Sequence, residues 1–388
     1  MRILLFTGKG GVGKTTVAAA TAALAARQGL RTIVLSTDPA HSLGDAFEAE
    51  LGDEPVELAD RLHGQQLDAR TRLETAWGDV RQYVVEVLQW AGADAVEAEE
   101  LSVVPGLDEV FALSDIKTCA DSGRYDLVVV DCAPTAETIR LLSLPDVLAW
   151  YMQRVFPAQR TLTRAVRPIL ARATNVPVAD DGVFASVRRF YSRLDGVREL
   201  LTDASVTTAR LVVNPERLVV AEARRTATYL SLFGYHVDAV IANRLLPDAV
   251  SDPWFEEWKR LQKEQMEVVE ESFAPVPVLR AELAPEELAG AERLAEFAAE
   301  LHGDRDPAGC FHEGAPFEVR AEGERLVMSL HLPFAAGGDV DLAESDGEVL
   351  VAVGPYRRAI MLPDSLVRRR VAGARMVADR LEIEFVED

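Results

Sequence analysis

The chain has 388 residues, 48% of them hydrophobic, and a formal net charge of −22. Such a length exceeds the usual single core and the apolar fraction is ample for burial, while so acidic a surface repels nucleic acid and anionic membrane as direct partners. No stretch approaches the roughly 20 apolar residues of a membrane span, Met1 leads almost directly into a strand-like run so that no signal peptide is expected, and three cysteines without a framework suit a reducing cytosol.

The apolar run Ile3-Leu4-Leu5-Phe6 reads as a buried strand, and the Ala-rich stretch from Thr16 to Arg27 as a helix. Between them lies Gly8-Lys9-Gly10-Gly11-Val12-Gly13-Lys14-Thr15-Thr16, in which Gly8 and Gly13-Lys14-Thr15 satisfy G-x-x-x-x-G-K-[ST]. Glycines allow backbone N–H groups to turn toward phosphate oxygens, and the following helix N-terminus adds partial positive charge. All nine residues are nucleotide-binding candidates. Lys14 is expected to reach the outer phosphates of ATP, and Thr15 to ligate Mg²⁺.

The next strand-like run, Thr32-Ile33-Val34-Leu35, ends in Ser36-Thr37-Asp38-Pro39-Ala40-His41-Ser42; Leu127-Val128-Val129-Val130 ends in Asp131-Cys132-Ala133-Pro134-Thr135. Both place an aspartate at the carboxyl edge of a parallel strand, where open α/β sheets bind ligands. Asp131, after an apolar run, suits a Mg²⁺-holding role. Asp38, taken in isolation, could also cap a helix ahead of Pro39. His41, alone in a loop, is given no catalytic role.

The loop Gly-Lys-Gly-Gly-Val-Gly-Lys-Thr-Thr resembles the deviant Walker A of the signature-lysine ATPases, and S-T-D-P-A-H-S and D-C-A-P-T-x-x-T-I-R-L-L look like the two switches of the arsenite-pump and tail-anchored-protein-targeting ATPase family. The resemblance implies a homodimer that closes on ATP, with Lys9 crossing to the partner's nucleotide, Asp38 polarising the attacking water and Asp131 serving the metal. Lys9, Lys14 and Asp38 are then the catalytic set. Ala136-Glu137 stand where the family has Gly-His, a departure confined to the second switch.

Two insertions, about 71–120 and 143–205, interrupt the strand-and-helix rhythm. Apolar residues recur at helical spacing through Leu73, Trp77, Val80, Val84, Val87 and Leu88, and again through Val183, Val187, Phe190, Leu194, Val197 and Leu201. Such stripes pack against a sheet or one another. In the family resembled they form a groove that receives hydrophobic or transmembrane segments, which leaves room for a membrane receptor. Adaptable grooves favour methionine, and Met152 alone stands in the second insertion.

Ala209 to Glu216 and Val237 to Pro247 read as strands running into loops, separated by a helix from Val219 to Phe233. The second resembles the family's V-x-N-R-x-x-P segment, which implies adenine recognition by Asn243; its amide offers the donor and acceptor that adenine requires, and a turn-forming asparagine is the competing reading. Glu216 and Glu222 match glutamates that the family places near the facing subunit's nucleotide. Cys119, Cys132 and Cys310 form no C-x-x-C, against a zinc-clamped dimer.

After Leu301 the composition shifts to breakers and then to short alternating segments, Glu318 to Arg320, Leu326 to Leu332, Asp339 to Leu342, Val349 to Val353, Ala359 to Leu362 and Leu381 to Phe385, the pattern of a β-sandwich. Leu330-His331-Leu332-Pro333-Phe334 and the segments around Val349, Ile360 and Ile383 look like the α-crystallin domain of small heat-shock proteins, without an I-x-I extension. The expected architecture is an α/β P-loop ATPase with a mostly parallel sheet, flanking helices and helical insertions over 1–303, a linker over 304–315, and an all-β sandwich over 316–388. The expected function is that of a cytoplasmic, homodimeric, client-binding ATPase, itself no membrane protein; metalloid extrusion and a crystallin-type holdase are the alternatives.

Overall fold

The computed structural model describes residues 1–38, 42–66, 85, 107–133, 135, 138–139, 141–144, 192, 194, 196–314, 317–323, 325–345, 348–362, 364–367 and 369–387. In chain order the elements are β1 (Arg2–Thr7), α1 (Lys14–Arg27), β2 (Thr32–Ser36), α2 (Ser42–Phe47), β3 (Val56–Ala59), β4 (Leu62–Gln66), α3 (Leu107–Asp121), β5 (Leu127–Asp131), α4 (Val197–Thr202), β6 (Thr207–Val213), α5 (Arg217–Leu232), β7 (Val237–Leu245), α6 (Glu256–Phe273), β8 (Val278–Glu282) and α7 (Ala291–His302). There follow β9 (Phe317–Glu322), β10 (Arg325–His331), β11 (Val340–Ser345), β12 (Glu348–Val353), β13 (Tyr356–Met361), α8 (Asp364–Val367), β14 (Arg369–Val377) and β15 (Arg380–Glu387).

The first eight strands form one sheet in the order β3-β4-β2-β5-β1-β6-β7-β8. Every pairing is parallel except that of β3 with β4 at one edge. Central strands β2, β5 and β6 are buried along their whole length, as expected of Val/Ile/Leu runs covered on both faces. Small side chains let α1 lie close to the sheet; it is buried from Val17 to Ala26, with α7 packed against it. Thr21 Oγ1 lies 3.2 Å from Nε2 of the fully buried His302 at the end of α7.

Two compact units emerge from the contacts: Met1–Gln66 with Ser122–Ile139 and Glu199–Asp388, and Leu67–Asp121 with Arg140–Arg198. In the second unit α3 buries Phe111, Leu113 and Ile116. The apolar stripes at 73–88 and 183–190, Met152, and Ala136-Glu137 lie outside the described residues; Leu194, Val197 and Leu201 are buried.

A buried ion pair ties residues 307–311 to the large sheet. Arg210 on β6 and Asp238 on β7 are inaccessible to solvent, 3.4 Å apart. The same guanidinium donates to Pro307 O and Gly309 O, both at 2.8 Å, and lies over the Phe311 ring at 4.2 Å, while Phe311 N donates to Asp238 Oδ2 at 3.2 Å. The breaker-rich sequence here allows turns whose carbonyls point at one cation.

Beyond it, the sheets β14-β15-β10-β9 and β11-β12-β13 are antiparallel. Val327, Leu330, Val349, Val351, Ile383 and Phe385 are buried among them. The alternation along β12, buried at every second residue, is the period-2 signature of a strand with one covered face. This β-sandwich packs on the α/β core: the Tyr356 ring lies 4.3 Å from that of Tyr229 on α5, Phe334 lies 5.4 Å from Phe273 on α6, and the buried Arg358 donates to Leu232 O at the end of α5.

Removing one partner of a buried ion pair strands the other, at a typical cost of about 3–5 kcal/mol. Asp238→Leu should therefore destabilise by that amount in chemical denaturation, and the double variant with Arg210→Leu should recover part of the loss. Burial holds His302 down to about 3, helped by Arg210 and Arg305, against an ordinary value of 6.5. The unfolded chain takes up this proton before the folded one does, so stability contributed by the neutral ring falls as pH drops from about 6.5 toward 3. In acid denaturation His302→Gln should remove about one proton of uptake between those limits.

Candidate active site

Residues 8–13 connect the end of β1 to the start of α1, with β5 and β6 on either side of β1. Two glycines here have no substitute. A Cβ on Gly8 would sit 2.3 Å from Val212 O; Gly13 has φ 91°, and a Cβ there would sit 2.4 Å from Asn243 Nδ2. No side chain caps the N-terminus of α1, which leaves its first N–H groups for an anion. Lys14, only 5% exposed, folds back over the loop with Nζ 3.4 Å from Lys9 O. Lys9 itself is half-buried, and Gly10 and Gly11 are exposed.

The carboxyl ends of β2 and β5 are in register, Ser36 opposite Asp131. Thr15 Oγ1 donates to Asp131 Oδ2 at 2.8 Å and Ser36 Oγ donates to the same oxygen at 3.2 Å. Asp131 is fully buried, and its Oδ1 has no partner among the described residues. Burial raises this carboxyl to about 7; the Thr15 hydrogen bond and Lys14 oppose the rise, Asp38 adds to it, and Ser36 opposes it. An orphaned carboxylate oxygen beside a threonine hydroxyl is a donor set for a hard cation. Thr15 and Asp131 thus fit the Mg²⁺ that the sequence implies.

Beside this pair, Asp38 N donates to Ser36 Oγ at 3.2 Å and Asp38 O accepts from Gln66 Nε2 at 2.8 Å. Thr37 N donates to Asp131 O at 3.0 Å, and Thr37 Oγ1 accepts from Ala133 N at 3.1 Å. The segments bearing the two aspartates are therefore stitched together by backbone and hydroxyl groups. Pro39, Ala40 and His41 lie outside the described residues. Cys132 is fully buried, its thiol pushed up to about 12 by burial and by Asp131, which is the opposite of a reactive thiolate.

On the other flank a cavity of about 320 Å³ is lined by Thr15, Thr16, Asn243, Arg244, Leu283 and Phe297 among others. Asn243 is 5% exposed and its Nδ2 donates to Val12 O at 2.9 Å. Arg244 takes a left-handed φ of 59°. Gln262 on α6 grips the backbone there, accepting from Leu246 N at 2.9 Å and donating to Arg244 O at 3.2 Å.

The structure thus brings together the loop residues Gly8 to Thr16, Asp38, Asp131 and Asn243. Glu216 is the exposed residue preceding α5 and Glu222 is half-buried on it; among the described residues, neither side chain bonds to loop 8–13. Sequence reasoning missed Gln66 and Gln262. The polar Gly64-Gln65-Gln66 on β4 breaks the apolar run by which strands are recognised, and Gln262 is one of many polar residues on an amphipathic helix.

Residues 1–303 match the anion-transporting ATPase family and residues 323–385 match an HSP20-like domain found in ArsA. A putative arsenical pump-driving ATPase of Chlorobaculum tepidum is 39% identical over 371 residues, covering 94% of this chain and 91% of the relative. A putative arsenical pump-driving ATPase 1 of Aquifex aeolicus is 35% identical over 393 residues, 99% of each chain. The ATPase ASNA1 homolog 1 of Paramecium tetraurelia is 29% identical over 263 residues, 62% of this chain and 74% of the relative.

If Asp131 Oδ1 is a cation ligand, Asp131→Asn should separate metal from nucleotide. ATP with Mg²⁺ should raise the melting temperature of the unaltered protein more than ATP with chelator, and that difference should vanish in Asp131→Asn while the chelator value persists.

Proposed function

Because the chain belongs to the anion-transporting ATPase family, we propose that it is a Mg²⁺-dependent ATPase acting in the cytoplasm as a homodimeric switch whose closure shapes a site for hydrophobic client segments. The observation that carries this reading is the convergence of Lys14, Thr15, Ser36, Asp38 and Asp131 where the phosphate loop meets the ends of β2 and β5.

Phosphoryl transfer needs little covalent chemistry from a protein; positioning and charge stabilisation supply most of the catalysis. In this reading the loop N–H groups and the α1 N-terminus hold the phosphates, and Lys14 swings from Lys9 O to the outer oxygens. Mg²⁺, held by Thr15 and Asp131, would neutralise charge on those oxygens. Asp38 orients the attacking water. Asn243 accepts from the adenine amine through Oδ1 while Nδ2 stays on Val12 O. Lys9, with Glu216 and Glu222, serves the partner's nucleotide. Closure then alters the insertions at about 71–120 and 143–205, whose apolar stripes support a client of hydrophobic or transmembrane character delivered to a membrane receptor.

Metalloid extrusion draws support from the names of the relatives. Arsenite coordination calls for thiolates, whereas Cys132 is held firmly as a thiol. A holdase surface on the β-sandwich is the third reading; the face bearing Tyr356 and Arg358 is occupied by α5.

Sedimentation velocity with the hydrolysis-blocked Asp38→Asn variant tests the switch. Saturating ATP with Mg²⁺ should convert monomer to dimer, adding Lys9→Ala should weaken that association at least about ten-fold, and an apolar peptide should bind the two states differently. A monomer under all conditions would overturn the proposal.

A further inference from the structure

Gln66 is the last residue of β4 and stands opposite Ser36 in the parallel register of β2. It is 1% exposed. Its backbone N donates to Gly52 O at 3.0 Å, and its side-chain Nε2 donates to Asp38 O at 2.8 Å. Its Oε1, also buried, has no partner among the described residues. An unsatisfied buried amide oxygen is destabilising, and the bond from Nε2 to Asp38 O offsets part of that cost. What the amide does is fix the carbonyl of the residue proposed to orient water.

We propose that Gln66 is a positioning residue for hydrolysis, holding the Asp38 backbone so that its carboxylate meets the attacking water. The inference rests on the reading of Asp38 given above. Three bonds define the arrangement: Ser36 Oγ, itself bonded to Asp131, takes Asp38 N, and Gln66 takes Asp38 O. The peptide on either side of the Asp38 Cα is thereby gripped, one side from the strand leading into it and the other from β4. Loss of the Gln66 bond removes one constraint on that carbonyl, and small displacements of a positioned group reduce rate steeply. Gln66 is also the final residue of its segment of the first unit, and the next peptide bond leads into Leu67, where the second unit begins.

The experiment compares ATP turnover, nucleotide affinity and melting temperature in Gln66→Leu, Gln66→Glu and Asp38→Asn. Gln66→Leu should lower kcat about ten-fold, with the affinity for ATP with Mg²⁺ unchanged. Gln66→Glu supplies a readout that mere packing would not move. Its carboxylate repels Asp38 O and its protonated form can donate to it, and burial favours the protonated form, so its turnover relative to the unaltered protein should recover as pH falls. Combining Gln66→Leu with Asp38→Asn should lower turnover no further than Asp38→Asn alone. Normal kcat in Gln66→Leu, or a pH profile for Gln66→Glu that parallels the unaltered protein, overturns the inference while leaving Asp38 in place if Asp38→Asn is inactive. Full turnover by Asp38→Asn removes the underlying reading and the inference with it. Should Gln66→Leu fail to fold, the Gln66→Glu pH profile decides.

Discussion

Asp131 lies at the end of a strand buried from its first residue to its last, and two hydroxyls converge on one carboxylate oxygen while the other has none. A carboxylate without water is costly as an anion, and burial pushes this carboxyl up to about 7. The parallel register that sets Ser36 beside Asp131, and the helix that begins at Lys14 and delivers Thr15, are what bring the hydroxyls to it. Much of the surrounding structure can be understood as support for this point: the loop glycines admit the close backbone approaches, and Thr37, Ala133 and Gln66 lock the neighbouring chain ends.

A second constraint acts at the opposite side of the sequence. Arg210 and Asp238 occupy adjacent strands of the large sheet yet spend their hydrogen bonds on residues 307–311. The β-sandwich that follows is held by aromatic contacts to α5 and α6. Helix α5 begins just after Asn214-Pro215, and β6, which precedes them, packs its Val212 carbonyl against Gly8. The strand that approaches Gly8 thus leads directly into one of the two helices on which the sandwich rests.

How much of this was legible depended on the kind of signal. The buried strands β1, β2, β5, β6 and β7 announced themselves as apolar runs, and the glycine loop needed no tertiary context to be recognised. The edge strands β3 and β8, and β4 beside the first of them, did not. Val56–Ala59 is half-exposed and Leu62–Gln66 carries polar residues, so neither has an apolar run, and β8 is a short alternating segment. Helix α6 buries only Met266, Val269 and Phe273 in a stretch dominated by charge. Within the site, Lys14, Thr15 and Asp131 followed from spacing. Gln66 and Gln262 act through side-chain bonds to backbone distant in sequence, and nothing local in the chain marks such a bond. The amide of Asn243 was expected to face a nucleobase, and its donor is engaged with Val12 O.

The account stands or falls on whether the loop at residues 8–16 drives ATP turnover. The most direct measurement is steady-state phosphate release by the purified full chain with ATP and Mg²⁺, beside Lys14→Ala and with the melting temperature of each as a control for folding. The account predicts turnover in the unaltered protein and its loss in Lys14→Ala at an unchanged melting temperature. Turnover that survives Lys14→Ala undiminished would contradict it.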